Sequence, residues 1–450
     1  MDPLRVSYEK VLRRVSRISG LVRSVHALPI PESRDVFHVY AARHPILARP
    51  DTLNAVFLNL TTQSSAIGRT AWEARALALC EAMERWSCVY QGFEPLIFGS
   101  YERLAPAAVR PNTTLQFSDA QYAQRVERNR RCSNAAEFIP EPLPPDLEAS
   151  WCPVWSLTHN TWRYALASSC YFGLRDEGGV FAAADSRGVA AGPSLEFCVW
   201  NGLLELIQTD AAALWHANFL PAPLVDVGSF QADYFDDIIA VHDRLGRDLW
   251  VLDVTADLPG VPVFAAVSRD RRTGNVVKGF GAHPQARRSL LRALMECSQM
   301  LANVCREGEK APAAHETEPS PPSASGHLPA QTHLVPSTRL HVRTRDDYTA
   351  RPGPSTLQDL IGMLADRNIE VLMQDVSRPE VGLRVVRVLA PGLRSWFGRF
   401  APGRLYTVPV VMGARERERP ETQMNTVPIE DCTTVLRGPE IESFLQKNID

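Results

Sequence analysis

The sequence has no CxxC pair, no apolar run long enough to span a bilayer and no excess of basic charge. Its nine cysteines, at 80, 88, 132, 152, 170, 198, 297, 305 and 432, are scattered and odd in number. That spacing argues against a zinc ribbon or a disulfide framework and predicts free, buried thiols. The longest charge-free apolar run, Ala211 to Val225, is too short for a span and contains His216, Asn218 and two prolines. The N-terminal stretch MDPLRVSYEKVLRRVSRISG carries basic residues but no apolar segment of a secretory signal. Lys plus Arg total 48 against 51 Asp plus Glu, a net charge of −3, which argues against general nucleic-acid or anionic-membrane binding. No HExxH, GxxxxGKS/T or GxSxG motif occurs, and no nucleophile triad is recognisable. A cytoplasmic protein is the expectation.

What is present suits an ordinary globular protein. The 450 residues are 45% apolar and 22% charged, enough for two or three domains or one elaborated domain with an ample core. The first sixty residues read as short extended segments and turns, for example DVFHVYAARHPI and LNAVFLNLTT. Three long helices are predicted, over about 70–90, 194–215 and 284–305, the last following a turn at GFGAHP (Gly279, Gly281). Strands are expected at CPVWSL, WRYALASSCYFG, VLDVTA, VPVFAAVSRD, IEVLMQDV and RVVRVLA, with a further helix at STLQDLIGMLADRN and a short one at PEIESFLQ. Residues 307–338 contain six prolines and little that is apolar, as in a flexible insert. These pieces make a mixed α+β protein rather than a regular βαβ alternation. Its expected parts are 1–65, a core over 66–306, the insert, a C-terminal part over 339–415 and a polar tail over 416–450.

In the first long helix Glu81, Glu84 and Arg85 lie at i, i+3 and i+4 and share a face flanked by Leu77, Ala78, Ala82 and Trp86. Two carboxylates beside a guanidinium suit Mg²⁺ and a phosphate, hard oxygens for the metal and a planar fork for the anion. A salt-bridged surface stripe reads the same way. The third helix repeats the theme with Arg292, Glu296 and Gln299 at i, i+4 and i+7 in an apolar context.

The order and spacing of SRGVAAGPSLEFCVWNGLLELIQTDA, GFGAHPQARRSLLRALMECSQ, HLVP, VRTRDDY and the long segment 371–413 resemble the YcaO family, in particular its discrete cyclodehydratases of thiazole/oxazole peptide maturation. The resemblance implies the YcaO fold, with three long helices lining a nucleotide-type cleft. It also implies ATP- and Mg²⁺-dependent activation of backbone amides, with cyclodehydration of Cys, Ser or Thr in a precursor peptide. Relatives make thioamides or macroamidines. By the same resemblance Glu81, Glu84, Arg85, Glu205, Arg292, Glu296 and Gln299 are the retained nucleotide-binding positions, with Glu81, Glu84 and Glu205 facing Mg²⁺. Implied partners are the precursor peptide, a separate leader-binding ThiF-like protein, an azoline-oxidising flavin dehydrogenase or an active YcaO paralogue, and a second copy of the chain.

Six positions depart from the family pattern: Ile67 for a lysine, Leu77 for a serine, Pro193 for an asparagine, Phe197 for a glutamate, Gln208 for a glutamate and Thr209 for an arginine. Arg187 also replaces an asparagine. Gln208 lacks the charge for a metal, and Thr209 lacks the bidentate phosphate contact of a guanidinium. The tail reads MNTVPIED, with Pro428 alone where discrete cyclodehydratases commonly carry PxPxP. Together the losses favour a chain that has given up ordinary ATP-dependent catalysis, a non-catalytic scaffold for an active paralogue or for precursor peptide. An active enzyme with a rearranged site is the competing expectation.

Overall fold

The computed structural model describes residues 11–429 apart from 13–14, 17–19, 133–136 and 311–330, together with Thr434 and Leu436. Strands β1 (Ser24–Ala27), β2 (His38–Arg43) and β3 (Gln63–Gly68) form an antiparallel sheet. Strands β4 (Ile97–Ser100), β5 (Glu148–Ser156), β6 (Thr161–Leu166) and β7 (Val189–Gly192) belong to a second sheet, and β8 (Arg247–Asp253), β9 (Val263–Asp270) and β10 (Val276–Ala282) to a third. The chain then returns with β11 (Leu372–Asp375) and β12 (Arg384–Leu389), completing a six-stranded second sheet in the order β4-β5-β11-β12-β7 with β6 on β5. Every strand pair is antiparallel. The helices of eight or more residues among the described residues are α1 (Leu53–Thr61), α2 (Ala71–Ser87), α3 (Leu195–Asn218), α4 (Asp233–Arg244), α5 (Ala286–Lys310), α6 (Leu357–Ala365) and α7 (Arg404–Val411).

Alternation along the third sheet shows where the core sits. Trp250, Leu252, Ala265 and Val267 pack with Leu203, Leu204 and Ile207 of α3, whereas Val251, Phe264 and Ala266 pack with α4 and α5. The period of two sends successive side chains to opposite faces, and both faces are covered. On its other side α3 meets Ala190, Val386 and Val388 of the six-stranded sheet. Hence α3 is sandwiched between two sheets, and nearly every residue from Cys198 to Asn218 is enclosed.

Two expected elements are corrected. The segment LNAVFLNLTT is helix α1, not an extended strand. Thr52 caps it by accepting the Ala55 N–H at 3.1 Å, and the run leaves Leu53, Val56, Phe57 and Leu60 exposed. A short apolar run carries no periodicity that separates strand from helix. GFGAHP is likewise not a turn, because Gly279 and Gly281 lie inside β10. A Cβ on Gly279 would come within 2.0 Å of the Cys297 nitrogen, and one on Gly281 within 2.1 Å of the Ser289 carbonyl oxygen. Those glycines let α5 lie directly on the strand.

Helix α5 runs on to Lys310, into the expected 307–338 insert. On the far side of the insert Thr332–Leu334 form a 3-10 turn with His333 and Leu334 buried, and residues 311–330 lie outside the described residues. The tail also enters the core at Met424, Asn425 and Ile429, while the PEIESFLQ helix falls outside the described residues. Eight cysteines are described, all free; Cys88, Cys152, Cys170, Cys198 and Cys297 are buried. No helix among the described residues is long and apolar enough to cross a membrane.

Candidate active site

Strand β7 draws the first two long helices together. Glu84 of α2 accepts the Ala191 N–H on Oε2 at 3.2 Å, and Glu205 of α3 accepts the Gly188 N–H on Oε2 at 3.2 Å. Gly188 is required here: its φ is +71°, and a Cβ would lie 2.3 Å from the Val388 carbonyl oxygen. At the start of α2, Thr70 accepts the Glu73 N–H, while the Glu73 carboxylate accepts the Arg69 N–H. At the start of α3, Ser194 accepts the Phe197 N–H.

Arg85 sits between two acids of its own helix, with Nη2 3.2 Å from Glu81 Oε1 and Nη1 3.1 Å from Glu84 Oε1. These side chains are half-buried and do not form a solvated surface stripe. Glu84 and Arg85 keep 15% and 21% of their side-chain surface, and Glu81, though hemmed in by protein, keeps 31%. Burial pushes the Glu84 carboxyl up to about 8 against the pull of Arg85, with Glu81 and Glu205 adding repulsion. Burial likewise lifts Glu205 to about 7, against Arg85 and the Gly188 N–H, and raises Glu81. Burial opposes the Arg85 charge as well, but the three carboxylates outweigh it and its pKa rises. One guanidinium thus faces three carboxylates.

Helix α5 approaches α3 from the other side. Glu296 accepts the Phe280 N–H of β10 at 3.0 Å and lies 3.5 Å from the Gln208 amide nitrogen. Arg292 donates to Asn201 Oδ1 of α3 at 2.7 Å and to the Ala282 carbonyl at 3.1 Å. Gln299 donates to the Ser65 carbonyl at 2.7 Å, joining α5 to β3. Asn201, Glu205 and Gln208 stand at i, i+4 and i+7, so one face of α3 meets both neighbouring helices.

The seven retained positions share one environment: all are half-buried. The departures do not. Leu77 and Phe197 are 45% and 46% exposed, and Pro193 is exposed too. Ile67 is buried in β3 opposite Val39, and Thr209 is wholly enclosed with its hydroxyl donating to the Leu206 carbonyl. Of the six departures only Gln208 lies half-buried beside a retained acid.

Mg²⁺ is content with one or two protein carboxylates plus substrate phosphates and water. Among the described residues no three His, Cys, Asp or Glu side chains are gathered as a metal cage. Glu81, Glu84 and Glu205 hold protons toward neutral pH that a cation brought in with phosphate would displace, which fits such a cation.

Several polar groups of the neighbourhood escaped the sequence reading. Asp185 pairs with Arg187 at 2.7 Å, and Arg404 bridges buried Asp210 and Asp257 at 2.6 Å each. His216 of α3 lies 2.9 Å from His333 and 2.8 Å from the Val427 carbonyl, while the Asn425 N–H donates to the Ala217 carbonyl. The tail bearing Pro428 is therefore pinned to the C-terminal end of α3. The signal available was charge inside apolar sequence, as in RVVRVLAPGLRSWFGRF. A cavity of about 540 Å³, bounded by Phe230, Pro284, Arg345, Tyr348 and Arg351 among others, includes none of the carboxylates.

Comparison with known proteins closes the case for kinship. In sequence the chain is 29% identical over 224 residues to an uncharacterized protein of the tfuA 3′ region of Rhizobium leguminosarum bv. trifolii, covering 46% of this chain and 52% of that one. It is 24% identical to an uncharacterized protein of Methanothermobacter thermautotrophicus, covering 72% and 80%. Among solved structures it superposes on a heterocyclase in complex with substrate and cofactor, with TM-score 0.85, 34% identity, and coverage of 95% of this chain and 57% of that one. It superposes on the heterocyclase TruD with TM-score 0.68, 36% identity and coverage of 79% and 50%. The chain thus spans about half the length of the first curated relative and of these two heterocyclases. The YcaO protein of Methanopyrus kandleri bound to AMPPCP and Mg²⁺, at 18% identity and TM-score 0.61 over 87% and 90%, shares the fold. The family description "YcaO cyclodehydratase, ATP- and Mg²⁺-binding" matches residues 65–394, from β3 through the third sheet to beyond β12, and the chain belongs to the YcaO family.

Proposed function

We propose that this chain acts in the maturation of ribosomally made peptides as an azoline-forming cyclodehydratase with a rearranged nucleotide site. The observation that carries the reading is the half-buried trio Glu81, Glu84 and Glu205 around the lone Arg85, an arrangement that needs added positive charge. ATP·Mg²⁺ would meet Glu84 and Glu205, with Arg85 holding both acids of α2 in register. The bound cation would neutralise phosphate charge during transfer. In the family reaction a Cys, Ser or Thr side chain attacks the preceding carbonyl carbon. The amide oxygen takes the terminal phosphoryl group of ATP, leaves as phosphate, and the amide nitrogen gives up its proton as the C=N bond forms. Arg292 and Gln299, tied to Asn201 and Ser65, position α5 against α3 and β3. The heterocyclase and TruD likenesses support a precursor peptide as substrate. A leader-binding ThiF-like protein, a flavin dehydrogenase and a second copy of the chain are the proposed associates.

A second reading rests on Gln208. Its amide faces Glu296 where the family carries a carboxylate, so a donor nitrogen occupies the place of a cation contact. That favours a scaffold working beside an active paralogue or presenting the precursor peptide. Calorimetric titration with AMPPCP and Mg²⁺ decides between them. Micromolar binding abolished by Glu84→Ala or Glu296→Ala supports the enzyme; no heat at millimolar ligand sinks it in favour of the scaffold.

A further inference from the structure

Next to the carboxylates, on the other side of Glu205, lies a pocket of opposite character. A cavity of about 50 Å³ is bounded by Thr114, Asp185, Arg187, Leu206, Arg387 and Arg399 among its lining residues. Arg187 donates twice to Asp185 Oδ2, from Nε at 3.0 Å and Nη2 at 2.7 Å. Arg387, 1% exposed, uses Nη1 on the Asp185 carbonyl at 2.8 Å, but its Nε and Nη2 are enclosed without an oxygen or nitrogen acceptor, with only the Cys88 thiol as a side-chain partner. Arg399, 8% exposed, has its Nε enclosed without a partner as well. Asp185 is the single acid among the described residues of the lining, so three guanidinium groups face one carboxylate there, with Glu205 outside the lining but near enough to feel the Arg187 charge. Burial, then the nearby Arg187 charge, brings Arg399 down to about 10. Unpaired charge and unused donors in a protein interior are costly, and they point to a missing acceptor.

We infer that this arginine-lined cavity binds a compact, doubly charged oxyanion of the phosphate type. Three positive charges against one leave a surplus of two, which matches the charge of a phosphate group near pH 7 of about −1.5 to −2. Size agrees: at about 50 Å³ the space suits a compact group of a few atoms. A nucleoside does not fit. Arginine forks engage tetrahedral oxyanions in pairs, and Arg387 and Arg399 each keep an enclosed nitrogen without an oxygen or nitrogen acceptor. The pocket also sets Arg187, which stands where the family pattern has asparagine, one residue from the Gly188 N–H that holds Glu205.

The inference does not depend on nucleotide use, and its test is read with inorganic phosphate. The full chain is titrated calorimetrically with phosphate, and its thermal unfolding midpoint is followed in parallel. Saturable binding with a rising midpoint is expected. Arg399→Met should weaken binding by about tenfold to a hundredfold, the loss of one charge-assisted donor group. It should also raise the midpoint of the ligand-free protein, because an enclosed unpaired charge is replaced by an apolar chain. Arg399→Lys, which keeps the charge without the fork, should weaken binding less. Absence of phosphate binding, or equal binding by wild type and both variants, overturns the site. A second titration with AMPPCP and Mg²⁺ identifies the source. Displacement of bound phosphate assigns the pocket to a nucleotide's terminal phosphoryl group, and simultaneous binding assigns it to free phosphate. A chain that binds phosphate but no nucleotide keeps this site while the enzyme reading fails.

Discussion

Two enclosed charged regions lie side by side against α3, and their imbalances are opposite. On one side Glu81, Glu84 and Glu205 surround Arg85; on the other Arg187, Arg387 and Arg399 surround Asp185. Consecutive helix residues divide them, since Glu205 belongs to the acids and Leu206 lines the arginine pocket. They meet at Glu205, which feels the Arg187 charge as well as that of Arg85, yet each region keeps its own excess. Keeping two uncancelled regions apart is expensive unless ligands of opposite charge complete them, a cation in one and an oxyanion in the other. A metal-bound polyphosphate presents both.

The largest effect should come from removing the minority charge on either side. Arg85→Ala leaves three carboxylates with no guanidinium between them. Enclosed pairs typically lose about 3–5 kcal/mol when broken; because these side chains are partly exposed, about 2–4 kcal/mol is expected, read by urea unfolding without metal. Mg²⁺ should recover part of that loss. Asp185→Asn is the mirror experiment and should cost about 2–3 kcal/mol in the ligand-free chain, with recovery by phosphate and none by Mg²⁺. If both variants respond alike to both ions, the division at α3 is not real.

A smaller change probes the border with α5. Gln208→Glu places a second carboxylate beside Glu296, and like charges in that setting repel. Without metal the variant should lose about 1–2 kcal/mol, in the ordinary range of single substitutions. With Mg²⁺ and AMPPCP it should bind nucleotide more tightly than wild type. Unchanged nucleotide affinity would mean that no cation approaches Gln208. Thr209→Arg should behave differently. Thr209 is wholly enclosed and bonded to its own helix, so the larger side chain disrupts packing instead of restoring a phosphate contact.

The acidic side was far more legible in the sequence than the basic side. Glu81, Glu84 and Arg85 fall at helical spacing within one stretch, and the predicted 70–90 helix is observed at Ala71–Ser87. The arginine pocket joins Asp185 and Arg187 to residues 387 and 399, about two hundred positions away, and no local period reports such a meeting. The meaning of the substitutions was hidden for another reason. An aligned position says which side chain changed, while burial decides what the change does. Leu77 and Phe197 look like losses from a site, yet both are largely exposed. Glycine misled similarly at Gly279 and Gly281, where close packing by α5 rather than a turn excludes a side chain.

The smallest effect is a pH slope, and its sign differs between the two regions. Glu84 and Glu205 hold their protons in the folded chain up to about 8 and about 7, well above an ordinary carboxylate at 4.5. The folded state therefore binds protons that the unfolded chain has released, and this region's contribution is complete below about pH 4.5 and lost as pH rises through 7 to 8. Asp185 is the reverse. Burial raises it, but Arg187 and Arg399 outweigh burial and bring it down to about 2, so its contribution holds above pH 3.8 and is lost as pH falls toward 2. Buried histidines such as His216 and His242, held by burial well below their usual range, give the opposite slope below about pH 6.5, so the acids are read above it. Between pH 7 and 9 the unfolding free energy of the metal-free chain should fall, by at most about 1.4 kcal/mol per pH unit for each proton the folded chain still holds, and Glu84→Gln should flatten the slope. Saturating Mg²⁺ should oppose the fall, because the cation binds the deprotonated acids and displaces their protons. Identical profiles for wild type and Glu84→Gln would mean that the carboxylates are already neutralised within the protein, and the acidic half of the comparison would be lost.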